Sequence, residues 1–217
     1  MILLDFGFVL LRGLAVTLWI SWLALLLAAL VGAVVGIGRT SKSWPLRFAA
    51  LGYTEFFRSI PTLVGLFFVY YGITFVFGIN LSPFAAATIA LALEGSALMS
   101  EVVRGGIQSV GRGQKEAALS SGMKVWQAEM YVIWPQAIRT MLPPAVGVYV
   151  STLKASALAS VIGYVELTKS GLLIREAVRG QSGGLTILVA VATIYVIINF
   201  AISQFGAAIE RRSSFVR

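Results

Sequence analysis

The feature that most constrains this chain is a long run of residues without a charge near its start. No residue between Arg12 and Arg39 is charged, and about 20 apolar residues are enough for a helix to cross a membrane. The chain is 58% hydrophobic and only 12% charged, with a mean hydropathy of +0.88. A soluble domain of 217 residues would carry more charge on its surface. The sequence therefore predicts an all-α integral membrane protein.

Four further apolar segments predict a bundle of about five membrane-spanning helices. The five predicted helices cover residues 13–38, 60–78, 84–103, 140–153 and 180–209. A second uncharged run, 155–165, predicts a shorter broken or re-entrant piece after the fourth helix. In the first helix, Gly32 and Gly36 have a spacing that permits the close approach of another helix. Glycine is, however, also simply common in membrane helices.

The lysines and arginines predict the orientation of these helices, because cytoplasmic loops carry an excess of basic residues. One basic group follows the first, the third and the fifth helix, whereas the turn at Asn80 contains none. The groups are Arg39, Lys42 and Arg47; Arg104, Arg112, Lys115 and Lys124; and Arg211, Arg212 and Arg217. This alternation predicts an external N-terminus and a cytoplasmic C-terminus. Four basic residues fit it only if they are external or buried in protein: Lys154, Lys169, Arg175 and Arg179.

Several classes of function are excluded by residues that the chain does not contain. It has no Cys and no His, which removes disulfides, thiol chemistry and the commonest zinc and iron sites. We therefore predict no metal site and no catalytic residue. The sequence has no GxxxxGK[ST] motif, the loop that holds nucleotide phosphates in many ATPases. The net charge is +8, but the basic residues form separate groups between apolar runs, so no nucleic-acid binding is predicted.

A polar segment interrupts the apolar pattern between the third and fourth helices. Its sequence is GRGQKEAALSSGMKVWQAE, residues 111–129. Because this segment cannot lie in lipid, it predicts a contact surface in water. Good helix formers on both sides of Gly122 predict two short helices with a break between them. Ala117 and Ala118 offer a small-residue surface for a close protein contact. The alternative is an ordinary amphipathic loop on the membrane surface.

The sequence EAALSSG, followed nine residues later by VIWP, resembles the EAA motif of permeases in binding-protein-dependent ABC importers. The matching residues are Glu116, Ala117, Ala118, Gly122 and Pro135. Trp134 stands where Leu is usual. In that family, the loop docks in a cleft of the ATPase subunit and couples nucleotide-driven closure to the membrane helices. The resemblance therefore implies this role for residues 111–135, which we name the coupling loop.

Longer blocks extend the resemblance over nearly the whole chain, to the branch of polar amino acid permeases of the histidine, glutamine and arginine type. The blocks are FFRSIPTLVGLFFVYYG, LSPFAAATIAL, SEVVRGGIQSVGRGQKEAA, WPQAIRTMLPP and LASVIGYVELT. They imply one permease domain over 1–217 with the type I ABC importer permease fold, in a bacterial plasma membrane. They also imply a dimer of ATPase subunits that binds ATP and Mg²⁺, a second permease subunit and an external substrate-binding protein. The chain itself would hold no cofactor and would not be an enzyme.

Four positions depart from the pattern of that branch. Gly65 stands where Gln is common, and Glu94 replaces a usual Asn. Gly111 replaces a Pro, and the Asp that usually follows Lys154 is absent. Three of these positions lie on or near the transmembrane pathway, so they bear on the substrate rather than on the mechanism.

Glu94 is the most informative single residue of the predicted third helix. It lies about ten residues into the span, near mid-membrane, where a charge costs about 2.5–3.5 kcal/mol and needs a cavity or a partner. Two roles fit it equally well: binding a cationic group of the substrate, or pairing with a basic residue on another helix or subunit. Glu101 lies one turn from Arg104, and we expect a salt bridge between them.

Five other residues are weaker candidates for the substrate pathway: Ser96, Tyr70, Tyr71, Lys154 and Glu166. Paired tyrosines are also typical of helix packing or of the membrane interface. Lys154 and Glu166 flank the predicted break after the fourth helix, and interrupted helices often form transport sites. Their alternative roles are snorkelling of Lys154 to an interface, and helix capping or pairing with Lys169 for Glu166.

Two functions of other classes compete with the importer permease. One is a secondary transporter or small channel driven by an ion gradient, with Glu94 and Glu101 as a proton or sodium site. The other is a membrane scaffold that transports nothing. We favour the importer because only it accounts for the coupling loop and the blocks that flank it. Five helices are few for a complete pathway, so two similar chains would enclose the cavity.

Overall fold

The computed structural model describes residues 6–178 and 183–214, and the regular structure of these two ranges is helical throughout. The helices, numbered in chain order, are α1 (Gly7–Arg39), α2 (Trp44–Ser59), α3 (Thr62–Phe77), α4 (Pro83–Ser109), α5 (Arg112–Ser120), α6 (Val125–Ile162), α7 (Leu167–Ala177) and α8 (Gly183–Ser214). A π-helical turn interrupts α3 at Phe68–Gly72 and α6 at Glu129–Ile133. The last turns of α6, Ala157–Ile162, form a 3₁₀-helix.

Four of these helices, α1, α4, α6 and α8, are long and apolar enough to cross a membrane. The pair α2 and α3 is bent by 101° at the break between its two helices, and the pair counts as a fifth candidate crossing. The predicted bundle of about five membrane-spanning helices is therefore confirmed.

One prediction about α6 is wrong, and a second is right only about the break, which does fall between Lys154 and Glu166, at Gly163. We expected a separate short helix after Gly122 and a separate piece at 155–165, but α6 runs from Val125 to Ile162. Its first turns belong to the coupling loop, and the residues after Lys154 continue the same helix. In the sequence, the charged residue Lys154 ends an apolar run. It does not end the helix, because its side chain projects into a groove between α6 and α8. The break comes later, at Gly163, whose φ of +85° ends the helix.

The central contact of the bundle joins α1 and α4, and it depends on the two glycines that the sequence analysis singled out. A Cβ atom added at Gly32 would lie 2.6 Å from the Cβ of Met99, and one at Gly36 would lie 2.7 Å from the carbonyl oxygen of Ser100. Such distances leave no room for a side chain. The prediction that these glycines permit close helix approach is therefore confirmed.

The helix contacts show which helix ends lie together. Gly36 near the end of α1 packs against Ser100 of α4, and Gly106 near the end of α4 packs against Met141 of α6. The C-terminal ends of α1 and α4 therefore lie beside the N-terminal part of α6, and α8 runs antiparallel to α6. We name this end, which carries the coupling loop, the loop end, and the opposite one the far end.

The basic residues used to predict the orientation lie in two places, some at the loop end and others at the far end. The groups that start at Arg39 and at Arg104 lie at the loop end. Gly13 in the first turns of α1 packs against Ser170 of α7, so the basic residues of α7, Lys169 and Arg175, lie at the far end. Arg179 and Arg217, which also entered the orientation argument, lie outside the described residues.

The buried apolar residues form three clusters between the helices. The first joins α1, α3, α4 and the end of α6 around Ile20, Leu66 and Leu91; the second joins α1, α7 and α8 around Leu10, Leu167 and Ile187; the third joins α4 and α6 around Met99, Val103 and Met141. Large apolar side chains also cover the outward faces of α1, α3 and α8, as expected for helices that contact lipid.

Candidate functional site

The coupling loop forms a bent pair of helices, α5 and the first turns of α6. Gly122 makes the bend with a φ of +83°, a left-handed conformation that side chains disfavour. Its amide donates to the carbonyl of Leu119 (3.0 Å), and the amide of Met123 donates to that of Ala118 (3.2 Å). These bonds satisfy carbonyl groups at the end of α5, as a C-terminal cap does. The predicted break at Gly122 is confirmed.

The two helices of the coupling loop are tied together. The ammonium group of Lys115 in α5 forms an ion pair with Glu129 in α6, and Ala118 is buried in the loop, with 6% of its surface exposed. Glu116 and Ala117 are exposed. Of the two alanines expected to form a small-residue surface, only Ala117 is exposed, because Ala118 is buried inside the loop.

Exposed apolar side chains surround this bend, and the sequence analysis did not single them out. They are Leu119, Met123, Val125 and Trp126. Apolar residues in a loop that is otherwise polar were visible in the sequence, but their exposure depends on how α5 lies against α6. A patch of this kind next to Glu116 and Ala117 is suited to contact with another protein.

The loop is joined to two membrane-spanning helices. The hydroxyls of Ser109 at the end of α4 and Thr140 in α6 share a hydrogen bond of 3.0 Å. A Cβ atom added at Gly106 would lie 2.3 Å from the Cγ of Met141. The helices α4 and α6, between which the loop lies in the chain, are therefore in direct contact beside it.

Glu94 lies on α4 and lines a cavity of about 300 Å³ between α4, α3 and the end of α2. Most of the lining is apolar, with Phe57, Phe68 and Leu93 among its residues. The hydroxyl of Thr62 donates a hydrogen bond of 2.9 Å to the Glu94 carboxylate. No ion pair to Glu94 occurs within the described parts of the chain. The two roles expected for Glu94 were binding a cationic group of the substrate and pairing with a basic residue. Pairing would require a basic residue outside the described parts of this chain, for example on another subunit.

Glu101 forms the expected salt bridge with Arg104, with 2.7 Å between Nη2 and Oε2. The same carboxylate also pairs with Arg39 of α1, and with Arg58 of α2 at 3.2 Å. Neither additional arginine was predicted, because both are distant in sequence and nothing in their spacing indicates the contact. The network joins three helices at the loop end.

Three weaker candidates for the pathway lie elsewhere. Ser96 is fully buried, and its hydroxyl shares a hydrogen bond of 2.6 Å with that of Tyr53 in α2, so it holds α2 to α4. Tyr70 packs against the first apolar cluster, whereas Tyr71 is exposed. Their rings meet edge to face, 4.7 Å apart. Tyr70 thus has the helix-packing role expected as the alternative.

Lys154 lines a groove of about 560 Å³ between α6 and α8, together with Ser151, Ser203 and Glu210. The side chain is exposed in the described structure. Of the two charged residues that flank the end of α6, Lys154 is therefore the one placed to meet a solute.

Glu166 has the alternative role predicted for it, as the N-terminal cap of α7. Its carboxylate accepts hydrogen bonds from the amides of Thr168 (2.9 Å) and Lys169 (2.8 Å) and from the hydroxyl of Tyr195 (2.8 Å). The residue is 0% exposed, and burial raises the pKa of its carboxyl group against these bonds. Glu166 therefore holds α7 and α8 together, and its carboxylate is enclosed by the protein in this structure.

No set of three or more His, Cys, Asp or Glu residues that could hold a metal ion occurs among the described residues. The described residues thus offer an exposed surface around the coupling loop and a cavity with one carboxylate.

Comparison with known proteins gives the family. The model of the family described as "Binding-protein-dependent transport system inner membrane component" matches residues 28–215. The chain therefore belongs to this family of membrane-spanning permease subunits. Such a subunit is not an enzyme, and ATP hydrolysis takes place on a separate subunit.

Individual relatives agree with this assignment. The glutamine transport system permease protein GlnP of Escherichia coli K12 is 35% identical over 204 residues, which cover 94% of this chain and 92% of GlnP. The glutamate transport system permease protein GluD of Corynebacterium glutamicum is 34% identical, over 93% of this chain and 74% of GluD. A crystal structure of an amino acid ABC transporter with histidines matches with a TM-score of 0.88 and 35% identity, over 97% of this chain and 96% of that one. The fold is that of the type I ABC importer permeases.

Proposed function

We propose that this chain is the permease subunit of an importer for polar amino acids or related small zwitterions. Relatives that cover most of its length are named for glutamine and glutamate transport, which supports this class of substrate. Substrate would pass from an external binding protein through the bundle by alternating access. The observation that carries the proposal is the coupling loop, a bent and tied helix pair that follows α4 in the chain and continues into α6.

The exposed surface around Glu116, Ala117 and Gly122 would dock on an ATPase subunit that binds ATP and Mg²⁺. Ala118 would contribute from inside the loop, by keeping α5 against α6. A dimer of ATPases requires two such loops, so a second permease chain, identical or similar, would face this one and close the pathway. In this arrangement the loop end is cytoplasmic and the far end is external.

Glu94 is the residue that we propose to meet the substrate in the membrane. Its carboxylate lines a cavity, accepts one hydrogen bond from Thr62 and has a negative charge that a cationic group would balance. Lys154, exposed in the groove between α6 and α8, is a further candidate for the pathway. Tyr70 and Tyr71, which lie apart from it in α3, are candidates too. Ser96 and Glu166 are buried and hydrogen-bonded to Tyr53 and Tyr195 respectively, so the proposed pathway does not include them.

Reconstitution tests the proposal directly. The full chain is co-expressed with its ATPase and placed in liposomes, and the uptake of glutamine, glutamate, arginine and histidine is measured with the binding protein outside and ATP inside. We expect uptake of at least one of these amino acids with ATP and none with a hydrolysis-deficient ATPase. Uptake that needs an ion gradient but no ATPase would instead show a secondary transporter. An assembled complex that takes up no solute, and whose ATP hydrolysis no substrate stimulates, would show a scaffold.

A further inference from the structure

The loop end carries a second polar site, which neither the coupling loop nor the Glu94 cavity uses. It is a pocket of about 300 Å³ lined by Arg39, Trp44, Arg47, Phe48, Leu51 and Arg104. We name it the arginine pocket. It lies between the end of α1, the first turns of α2 and the last turns of α4. Three arginines on a pocket of this size make it a candidate site for an anion.

The pocket has a net positive charge, because arginines outnumber carboxylates around it. Arg39 and Arg104 both pair with Glu101, which also pairs with Arg58. One carboxylate is therefore shared by three guanidinium groups. Arg47 has no ion-pair partner among the residues that the structure describes. A guanidinium group stays charged and offers five N–H donors, so an incoming anion would find donors that the protein leaves unused.

The rest of the pocket lining, which comes from the same helix α2 as Arg47, is aromatic and apolar. The rings of Trp44 and Phe48 stack with their centroids 5.4 Å apart, and they are 64% and 61% exposed. Leu51 continues this surface one turn later in α2. Tryptophan is enriched where a membrane meets water, because its ring is amphipathic. A small inorganic anion would need no such lining, whereas a ligand with a charged head and an apolar body would contact both the arginines and the apolar residues.

The arginine pocket lies at the level along the helices where the membrane is expected to meet water. The uncharged run of α1 ends at Arg39, and the last turns of α4 lead directly into the polar coupling loop. The pocket therefore lies where the apolar part of the bundle ends. Basic pockets between membrane helices at this depth are suited to anionic lipid headgroups.

We propose that the arginine pocket binds an anionic phospholipid, with its headgroup phosphate on Arg47 and Arg39 and its glycerol and upper acyl region on Trp44 and Phe48. The bound lipid would touch α1, α2 and α4, the three helices that the Glu101 network joins. It would therefore hold α2 in place at the loop end. This proposal does not depend on which solute the permease carries.

Lipid binding to the purified full-length chain tests the proposal. Native mass spectrometry in detergent compares dioleoyl phosphatidylglycerol with dioleoyl phosphatidylcholine as probes, for the wild type and for Arg47→Gln. We expect the wild type to prefer phosphatidylglycerol and Arg47→Gln to bind it about tenfold more weakly, the effect of losing charge-assisted hydrogen bonds. The matched control is Lys42→Gln, because Lys42 is an exposed basic residue nearby that does not line the pocket. The control is expected to keep the affinity of the wild type.

A second variant, Trp44→Ala, tests the apolar part of the lining, and it is expected to weaken phosphatidylglycerol binding while leaving the chain folded, since Trp44 is exposed. Three results would overturn the proposal: equal retention of both lipids by the wild type, unchanged affinity in both pocket variants, or loss of bound lipid in an excess of inorganic phosphate. The last result would identify a site for a free anion rather than for a lipid.

Discussion

At the scale of the residue, the environment of Glu94 is unusual for a carboxylate. A carboxylate can accept about four hydrogen bonds, yet Glu94 accepts one, from Thr62, and its other neighbours in the cavity are mostly apolar. A carboxylate in such surroundings has lost most of its contact with water, which is unfavourable for its negative charge. The positive charge of a bound cationic group would compensate this cost. The preference for one class of amino acid is therefore expected to depend on this side chain.

We predict that Glu94→Gln lowers the transport of arginine about tenfold or more, because a hydrogen-bonded contact with a charged group is lost. Transport of glutamine and glutamate should change less. Glu55→Gln is the matched control, since Glu55 is a carboxylate on α2 that does not line the cavity. The measurement is uptake in proteoliposomes for each amino acid. Equal effects of Glu94→Gln on basic, neutral and acidic amino acids would remove Glu94 from substrate recognition.

Gly122 is the second residue with a specific conformational demand. We predict that Gly122→Ala reduces transport and the stimulation of ATP hydrolysis by substrate-loaded binding protein, since a Cβ in the left-handed region costs about 1–2 kcal/mol. Gly52→Ala is the control, because Gly52 lies in helix α2 with open space around it and without a positive φ. Both variants should insert normally. Full coupling in Gly122→Ala would contradict the importance of the bend.

Residue roles were predictable from the sequence only where local spacing decides them. Capping by Glu166 and the Glu101–Arg104 pair follow from positions three apart, and both are confirmed. The direction in which Ser96 and Ala118 point was not predictable, because it depends on the rotation of a helix against its neighbours. Both side chains turned out to be buried.

At the scale of the element, the contact between α1 and α4 is the most demanding one in the bundle. We predict that Gly32→Leu lowers the free energy of unfolding by about 1–3 kcal/mol, the usual cost of overpacking. Gly105→Leu is the control on the facing helix, because a Cβ there meets open space. The measurement is the thermal midpoint of the purified chain in detergent. Equal midpoints for the two variants would show that α1 and α4 do not hold the bundle together as closely as described.

The helices themselves were largely predictable, because the hydrocarbon core of a membrane imposes long apolar segments with internal hydrogen bonds. The bend of 101° between α2 and α3 was not predictable. The break itself lies at Ile60 and Pro61, whose backbone is extended. The angle also depends on contacts distant in sequence, because Tyr53 of α2 and Thr62 of α3 both bond to side chains of α4.

At the scale of the whole molecule, the open question is which end faces the cytoplasm. The chain contains no cysteine, so single cysteines report on one position each. We predict that a membrane-impermeant maleimide labels Asn80→Cys in intact cells, and Ser121→Cys only after permeabilisation. Both positions are exposed, and they lie at the far end and at the loop end respectively. The reverse pattern would overturn the proposed orientation and the cytoplasmic ATPase contact with it.

The π-helical turn at Glu129–Ile133 lies where the coupling loop enters the membrane-spanning part of α6. Such a turn holds one residue more than an α-helical turn, and each residue of a helix advances the direction of the side chains by about 100°. The side chains of α6 that follow this turn are therefore rotated about the helix axis relative to those of the coupling loop. A force applied to the surface of the coupling loop would therefore act on a membrane-spanning part of α6 that is rotated about the helix axis relative to that surface. The single extra residue of the π-helical turn sets which side of α6 faces each neighbouring helix.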